Sequence, residues 1–190
     1  MRLFAALVPP EPVLADVRRL VDGVRDGWPE LRWARPDQWH LTLTFFGAVD
    51  EPVVPDLSAR LARAASRAQP LALSFGSGGA FGSRRRARVV WLRVDGDREP
   101  LRRLSRATDA AARRVGLDVE DRPYRPHLTL ARARQPTDVR PLLEALESHA
   151  GPPWTATRLA LVRSRLAAHE DRGSVYETLD DWPLGSPTRE

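Results

Sequence analysis

The amino-acid sequence predicts a fold of mixed strands and helices in two similar halves, which we infer to pack about a pseudo-twofold axis. Strand-like and helix-like patterns alternate along the chain. The word HLTL occurs twice, at residues 40–43 and 127–130. When the first half is shifted by 87 residues, five elements fall on five elements of the same type in the same order. We therefore expect one bilobal domain over residues 1–190, with an internal duplication of roughly 1–80 and 87–182.

The first half carries three strand patterns and two helix patterns. Short apolar or alternating runs indicate the strands, and apolar residues three and four positions apart indicate the helices. The predicted elements are a strand at 2–8, a helix at 14–28, a strand at 39–46 closed by Gly47, a helix at 57–68 and a strand at 71–75. The glycine-rich segment 76–83 that follows is expected to be a loop, in the form of a flexible hairpin or a lobe connector.

The second half repeats that order and adds a hairpin. The predicted elements are a strand at 87–94, a helix at 101–115 that stops near Gly116, a strand at 127–131, a helix at 139–146, and strands at 158–166 and 175–179. The polar residues 169–174 are expected to form the turn between the last two strands.

Composition excludes several classes of function. The chain has no cysteine, so disulfides and thiolate metal sites are excluded, which fits a reducing cytoplasm. Its N-terminal apolar run is too short for a signal peptide or a membrane span. All 30 basic residues are arginine and the net charge is +5, which favours an anionic partner such as RNA. We expect a cytoplasmic protein, a monomer, with no membrane partner.

The two HLTL words place polar side chains on one face of two strands. Residues two apart on a strand share a face, so His40 and Thr42 point one way and the intervening leucines the other. The same holds for His127 and Thr129. If the halves pack about a pseudo-twofold axis, two imidazoles and two hydroxyls meet on a rigid sheet. For one such word a solvated strand face is the better explanation, but the recurrence of the word favours a shared site.

Two imidazoles in one cleft suit a reaction that takes one proton and gives another. Histidine titrates near pH 6.5, so one ring can be neutral while the other is charged. Hydrolysis of a phosphodiester needs such a pair, a base for water and an acid for the leaving oxygen. Threonine hydroxyls and guanidinium groups can donate to the phosphate oxygens. No His-x-x-x-His spacing or cysteine supports a metal, so no cofactor is expected.

On these motifs the chain resembles the two-histidine phosphoesterase superfamily, and within it the bacterial RNA 2′,3′-cyclic phosphodiesterases, also called 2′-5′ RNA ligases. The resemblance rests on the paired His-x-Thr motifs. Weaker flanking matches, which follow the family's order, are MRLFAAL, WHLTLTFFG, GAFGSRRRARVVWLRV, YRPHLTLAR and VYETLDDWPL. It implies a bilobal α+β fold of two antiparallel sheets related by a pseudo-twofold axis, with helices on the outer faces and an active-site cleft between the lobes. It also implies metal-independent opening of a terminal RNA 2′,3′-cyclic phosphate, or of cyclic nucleotides, to a 2′-phosphate.

The resemblance also implies a role for each site residue. His40 would be the proton donor to the 3′-oxygen and His127 the proton acceptor that activates water. Thr42, Thr129 and Arg132 would bind the phosphate. Arg132 presents a conflict, because a regular strand places it on the face opposite Thr129. Only a bulge or a strand end near residue 131 would turn it back to the cleft.

Several alternatives stay open at this stage. The chain could instead ligate 2′-5′ RNA ends, or bind RNA ends without catalysis. The paired histidines argue against binding without catalysis, because arginine alone would serve to bind a phosphate. Arg84, Arg85 and Arg86 could contact an RNA backbone or lie on a solvated loop. Core packing is favoured over base stacking for both Phe4 and Phe46. Tyr124 and Arg125 are equally compatible with the cleft rim and with no role.

Overall fold

The computed structural model describes residues 1–166 and 174–185, and forms an α+β fold with a curled antiparallel sheet and four α-helices in that part of the chain. The strands are β1 (Arg2–Leu7), β2 (Leu31–Trp33), β3 (Leu41–Ala48), β4 (Leu71–Ser83), β5 (Arg86–Gly96), β6 (His127–Thr137), β7 (Trp154–Ala156), β8 (Arg158–Leu166) and β9 (Ser174–Pro183). The helices are α1 (Glu11–Val24), α2 (Val54–Arg67), α3 (Arg98–Arg113) and α4 (Arg140–Ala145). The predicted turn at 169–174 lies almost entirely outside the described residues.

The strands form one hydrogen-bonded path in the order β7-β4-β5-β6-β3-β1-β8-β9. The short strand β2 lies off this path and pairs with β6. Every recorded pairing is antiparallel. The path has two four-stranded parts, and the only recorded pair that joins them among the described residues is Leu41 opposite Leu128. The described residues therefore form one continuous sheet where two sheets were expected, and its two parts are joined midway along the path, where the two HLTL strands meet.

Each four-stranded part contains strands from both halves of the sequence. β4 belongs to the first half but pairs with β5 of the second half, and β8 belongs to the second half but pairs with β1. The third strand of each half is therefore exchanged. Because both exchanged strands are long and well paired, neither half could form its part of the sheet without the other.

The helices cover one face of the sheet and leave the other face for the cleft. α2 packs against α3, β8 and β9, and α3 packs against β3. Leu57, Leu61 and Leu101 from these helices join one large apolar core. A small second cluster, centred on Phe4 and Val162, lies on the opposite face. None of the helices in residues 1–166 and 174–185 is long and apolar enough to cross a membrane.

The glycine-rich segment 76–83 is not a loop or a lobe connector but one arm of a hairpin, which was the other expectation for it. It continues β4 and pairs with β5, with a two-residue turn at Arg84 and Arg85. The glycines are there because neighbouring side chains occupy the space above them. A Cβ on Gly79 would clash with the indole of Trp91, and one on Gly78 would lie 2.8 Å from Leu146 Cβ. The glycine and serine content of this segment is typical of a turn, but here the glycines belong to a strand and leave room for large neighbouring side chains to pack against its backbone.

Two short strands, β2 and β7, and the second half of β6 were also absent from the sequence prediction. β2 and β7 have three residues each, too few for a period to be visible, and each exists because it pairs with a longer neighbour. Gly47, expected to close β3, lies inside the strand with a φ of 70°. The remaining predicted helices and strands are confirmed, with ends shifted by a few residues.

Candidate active site

The imidazole of His40 is fixed by two hydrogen bonds at the start of β3. Nδ1 lies 2.7 Å from the Gln38 carbonyl oxygen, and Nε2 lies 2.9 Å from Thr42 Oγ1. A carbonyl oxygen can only accept, so Nδ1 carries a hydrogen and donates it. In the neutral ring Nε2 is then the acceptor, and Thr42 donates to it. The hydrogen bond to the main chain therefore selects the tautomer whose basic nitrogen is beside the threonine.

His127 repeats this arrangement at the start of β6. Its Nδ1 lies 2.7 Å from the Arg125 carbonyl oxygen, again two residues earlier in the chain. Nδ1–H donates to that oxygen, so Nε2 of the neutral ring is free to accept a proton. Arg125 thus contributes a main-chain acceptor, which sequence reasoning could not assign. Both histidines present the same nitrogen to their surroundings because each donates Nδ1–H to the carbonyl oxygen two residues earlier.

The pairing of Leu41 with Leu128 brings the two motifs side by side. Both leucines are fully buried, so the residues that flank them project to the opposite face. Since antiparallel strands run in opposite directions, extending the register by one residue places His40 across from Thr129 and Thr42 across from His127. The predicted meeting of His40, Thr42, His127 and Thr129 on one face agrees with this strand pairing.

The surroundings of both histidines disfavour the charged form of the ring. Burial lowers the pKa of His40 from 6.5 to about 4; its hydrogen bond to Gln38 opposes this shift, and the charges of His127 and Arg132 add to it. Burial also lowers the pKa of His127, against its hydrogen bond to Arg125, and Arg132 lowers it further. Without an anion in the cleft, both rings are therefore neutral at pH 7.

Arg132 lies on the same face as Thr129 because β6 has a bulge. Thr129 is opposite Trp91, Ala131 is opposite Val90, and Arg132 is opposite Val89. The register skips Leu130, so Leu130 and Ala131 are both buried and alternation resumes one residue later. The regular-strand expectation for Arg132 was wrong, and the bulge supplies the turn that the resemblance required. Its charge acts on both histidines.

Aromatic rings flank each histidine, and sequence analysis identified only one of them. Phe4 stacks on His40 with centroids 4.6 Å apart, and Tyr176 meets the same ring edge-on at 5.0 Å. Phe81 meets His127 edge-on at 4.7 Å, and Trp91 lies 6.3 Å from it. These rings exclude water from the imidazoles and account for much of the burial that lowers both pKa values. Trp91 matches Phe4 under the 87-residue shift, which was the available signal.

Phe45 is the large apolar residue that the cleft face leaves exposed, at 48%. A bulge in β3 skips Leu43, so Thr42 is opposite Ala6 and Phe45 is opposite Phe4, on the same face. The Arg2 guanidinium carbon lies 5.5 Å from the centre of the Phe45 ring. Phe46, one residue on, is 3% exposed, so its predicted core packing is confirmed.

Tyr124 links the second motif to the first. Its hydroxyl donates to the main-chain carbonyl of Thr42 at 2.9 Å. Beneath it, Thr44 donates to Asp109 at 2.6 Å and shares a 2.6 Å hydrogen bond with the hydroxyl of Thr108. Burial, and then the charge of Asp109, raise the pKa of Tyr124, which keeps its phenol protonated and a donor. The hydrogen bond holds the segment before His127 against the strand that carries Thr42.

No group of three or more histidine, cysteine or carboxylate side chains that could hold a metal ion occurs within the described part of the chain. The other described histidine, His149, lies near Asp16, with Nε2 3.6 Å from a carboxylate oxygen, and has no part in the cleft. Arg84, Arg85 and Arg86 are exposed at the tip of the β4–β5 hairpin. The site therefore consists of imidazoles, hydroxyls, aromatic rings and Arg132.

Comparison with known proteins identifies the family. The family model described as "2'-5' RNA ligase superfamily" matches residues 9–167. A Bacillus subtilis protein named RNA 2′,3′-cyclic phosphodiesterase is 42% identical over 101 residues, which is 53% of this chain and 55% of that protein. A Thermus thermophilus protein of the same name is 33% identical over 97% of this chain and 90% of its own.

A solved structure gives the same result for the fold. The crystal structure of TT0787 from Thermus thermophilus superimposes with a TM-score of 0.81 and 29% sequence identity, over 98% of this chain and 99% of that one. The Bacillus subtilis alignment spans only about half of either protein, but the Thermus comparisons extend over nearly the whole chain. The family model and these full-length similarities together establish that the chain belongs to the 2′-5′ RNA ligase superfamily.

Proposed function

We propose that this protein hydrolyses the terminal 2′,3′-cyclic phosphate of RNA to a 2′-phosphate, with His40 and His127 as paired acid and base. One observation carries the proposal: two imidazoles, each with Nδ1–H held by a carbonyl two residues earlier, lie on strands joined at Leu41 and Leu128. The names of the Bacillus and Thermus relatives supply the substrate class.

The reaction adds one water across one P–O bond. In our proposal Nε2 of neutral His127 takes a proton from water as the water oxygen attacks phosphorus. The bond from phosphorus to the 3′-oxygen breaks, and Nε2–H of charged His40 gives its proton to that oxygen. The product carries a 2′-phosphate and a free 3′-hydroxyl. The two rings end in exchanged protonation states, and proton exchange with solvent restores them.

The phosphate oxygens need donors that do not themselves react. Thr42 and Thr129 lie beside the imidazoles, and Arg132 is exposed on their face with no carboxylate within 4 Å in the described part of the chain. An unpaired guanidinium can make a charge-assisted bond to a phosphate oxygen and can stabilise charge that develops in the transition state. We assign all three residues to phosphate binding.

We also propose that the fold has an internal symmetry that relates the two histidine motifs. β1, β3 and β8 have counterparts in β5, β6 and β4, in the order expected of a duplicated unit. The bulges after Thr42 and Thr129 occupy equivalent positions. We propose that the two four-stranded parts are lobes of one domain, related by a pseudo-twofold axis near the pair of Leu41 and Leu128.

The deciding experiment uses a short RNA with a 2′,3′-cyclic phosphate end, incubated with the protein in excess EDTA. We expect hydrolysis, with a product that co-migrates with the 2′-phosphate standard and not with the 3′-phosphate standard. The H40A/H127A double variant is the matched control for contaminating nuclease. A 3′-phosphate product, or activity lost in EDTA and restored by a divalent metal, would refute the mechanism.

The family description favours one second candidate, ligation. If the 5′-hydroxyl of another RNA replaces water, His127 takes its proton and the same P–O bond breaks, which leaves a 2′-5′ linkage. Adding a 5′-hydroxyl RNA to the assay separates the two activities, because ligation lengthens the labelled strand. A longer product in place of the 2′-phosphate end would identify ligation as the main reaction.

A further inference from the structure

A surface rich in arginine begins directly beyond the reacting site, where β2 pairs with β6. Arg32 is opposite Arg132, Leu31 is opposite Ala133, and Trp33 is opposite Ala131. Arg32 is exposed whereas its neighbour Leu31 is buried, so Arg32 projects from the same face as Arg132. Because Arg132 shares that face with Thr129, the surface from the HLTL motif to Arg32 is continuous.

The pairing of Arg32 with Arg132 is unfavourable unless something neutralises it. Like charges directly opposite on antiparallel strands repel, because their Cβ atoms lie only about 4.5–5.5 Å apart. Within residues 1–166 and 174–185, no carboxylate forms an ion pair within 4 Å of Arg32, Arg132 or Arg134. By contrast, Arg93 and Arg140 nearby are both paired with aspartate. Clustered positive charge of this kind does not stabilise the fold, so a bound anion would be its counter-charge.

Arg32 and Arg134 also line one shallow depression of the surface. Its lining comprises Pro29, Glu30, Arg32, Arg134, Gln135 and Thr137. Glu30 is the single acidic member of that lining. Arg134 follows Arg132 by two residues on β6, a step of about 6–7 Å along a strand. Arg132 is assigned to the reacting phosphate. Arg32 lies across from it on β2 and Arg134 lies two residues along β6, so both are neighbours of Arg132 on the same face.

We propose that Arg32 and Arg134 bind the phosphodiester immediately 5′ of the reacting cyclic phosphate. This proposal rests on the proposed function and specifies its substrate, an RNA end in place of a free cyclic mononucleotide. The terminal nucleotide has only one further anionic group within reach, the phosphate that joins it to the preceding nucleotide. Two guanidinium groups one step from Arg132 match that anion in charge and position.

The test compares a mononucleotide with a dinucleotide, which adds that phosphodiester and the adenosine on its 5′ side, and a neutral analogue of the linkage separates the two. Substrate one is 2′,3′-cyclic AMP, and substrate two is the dinucleotide ApA with a 2′,3′-cyclic phosphate end. We measure the ratio of kcat/KM for the dinucleotide to kcat/KM for the mononucleotide at low salt. In the R32Q/R134Q double variant we expect this ratio to fall about tenfold. A dinucleotide with a methylphosphonate linkage, which is neutral, should lower the wild-type ratio to a similar extent.

A matched control removes the same charge elsewhere. Arg63 and Arg67 are exposed on α2, which packs on the opposite face of the sheet, and R63Q/R67Q should leave the ratio unchanged. Thermal melts of both double variants establish that the fold is retained. A ratio unchanged in R32Q/R134Q, or lowered equally by both double variants, would overturn the subsite. If the wild type hydrolyses neither substrate, the proposed function fails; if it hydrolyses both equally well, only the subsite fails.

Discussion

The pH dependence of hydrolysis should report the low proton affinity of the two site histidines. With a pKa of about 4, His40 carries a proton in about one free molecule in ten at pH 5 and one in a thousand at pH 7. The pKa of His127 is also lowered, so this ring is neutral above pH 6.5. The productive free enzyme needs charged His40 and neutral His127. Above pH 6.5 we therefore expect kcat/KM to fall about tenfold per pH unit.

The bound substrate should change this dependence. The cyclic phosphate carries one negative charge, and an anion beside an imidazole favours the charged ring. Both pKa values then rise in the complex, and the fraction of molecules with charged His40 rises with them. Since kcat reports the complex and kcat/KM reports the free enzyme, the optimum for kcat should lie at higher pH than the optimum for kcat/KM.

Initial rates with 2′,3′-cyclic AMP from pH 4 to pH 9, at constant ionic strength and in EDTA, give both profiles. NMR titration of the imidazole protons of the free protein measures the two pKa values directly. A kcat/KM that is flat or rising between pH 6.5 and pH 8.5 would refute the assignment of His40 as acid and His127 as base. An NMR pKa of 6.5 or above for both rings would instead refute the lowered proton affinity that burial and Arg132 are expected to cause.

Arg132 provides a second test of the same reasoning. Its charge lowers the pKa of both histidines, so R132Q should shift the kcat/KM optimum to higher pH while the maximum falls through loss of a phosphate contact. R63Q removes an equal charge from the helical face and should shift neither profile. A lower maximum with an unmoved optimum would show that Arg132 does not act on the histidines.

Three further predictions concern the site and its support. Alanine at His40 or His127 should each lower kcat by about 10²–10⁴, and the double variant should lose far less than the product of these losses; one fully active single variant would contradict the pairing. Y124F should lower the free energy of unfolding in urea by about 1–2 kcal/mol, because the half-buried carbonyl of Thr42 loses its hydrogen-bond donor. An unchanged urea midpoint would show that this hydrogen bond does not stabilise the fold. G79A should destabilise by about 1–3 kcal/mol by displacing an indole, whereas G23A, which meets nothing within 4 Å in α1, should stabilise by up to about 1 kcal/mol; similar effects of both would refute the packing argument.

Sequence reasoning succeeded where a local pattern determines the structure. Each HLTL strand has leucines on the core side and His and Thr on the other, and burial follows that alternation through Leu43 and Leu130. Sequence reasoning failed where residues distant in the sequence determine the local structure. The glycines at 76–83 read as a loop because the side chains that need their space, Trp91 and Leu146, are remote in sequence. The exchange of β4 and β8 is a property of pairing, which element order does not contain.

The two bulges are the clearest structural features that the periodicity of the sequence does not predict. In β3 and β6 alike, one extra residue after the motif threonine buries two neighbours in succession and returns the next side chain to the cleft. That side chain is Phe45 in one strand and Arg132 in the other. Corresponding positions of the two strands thus carry a neutral ring on β3 and, on β6, a cation whose charge lowers the pKa of both histidines. In our proposal the repeated motif supplies two imidazoles of like geometry, and the residue after each bulge supplies a difference by which their roles become distinct.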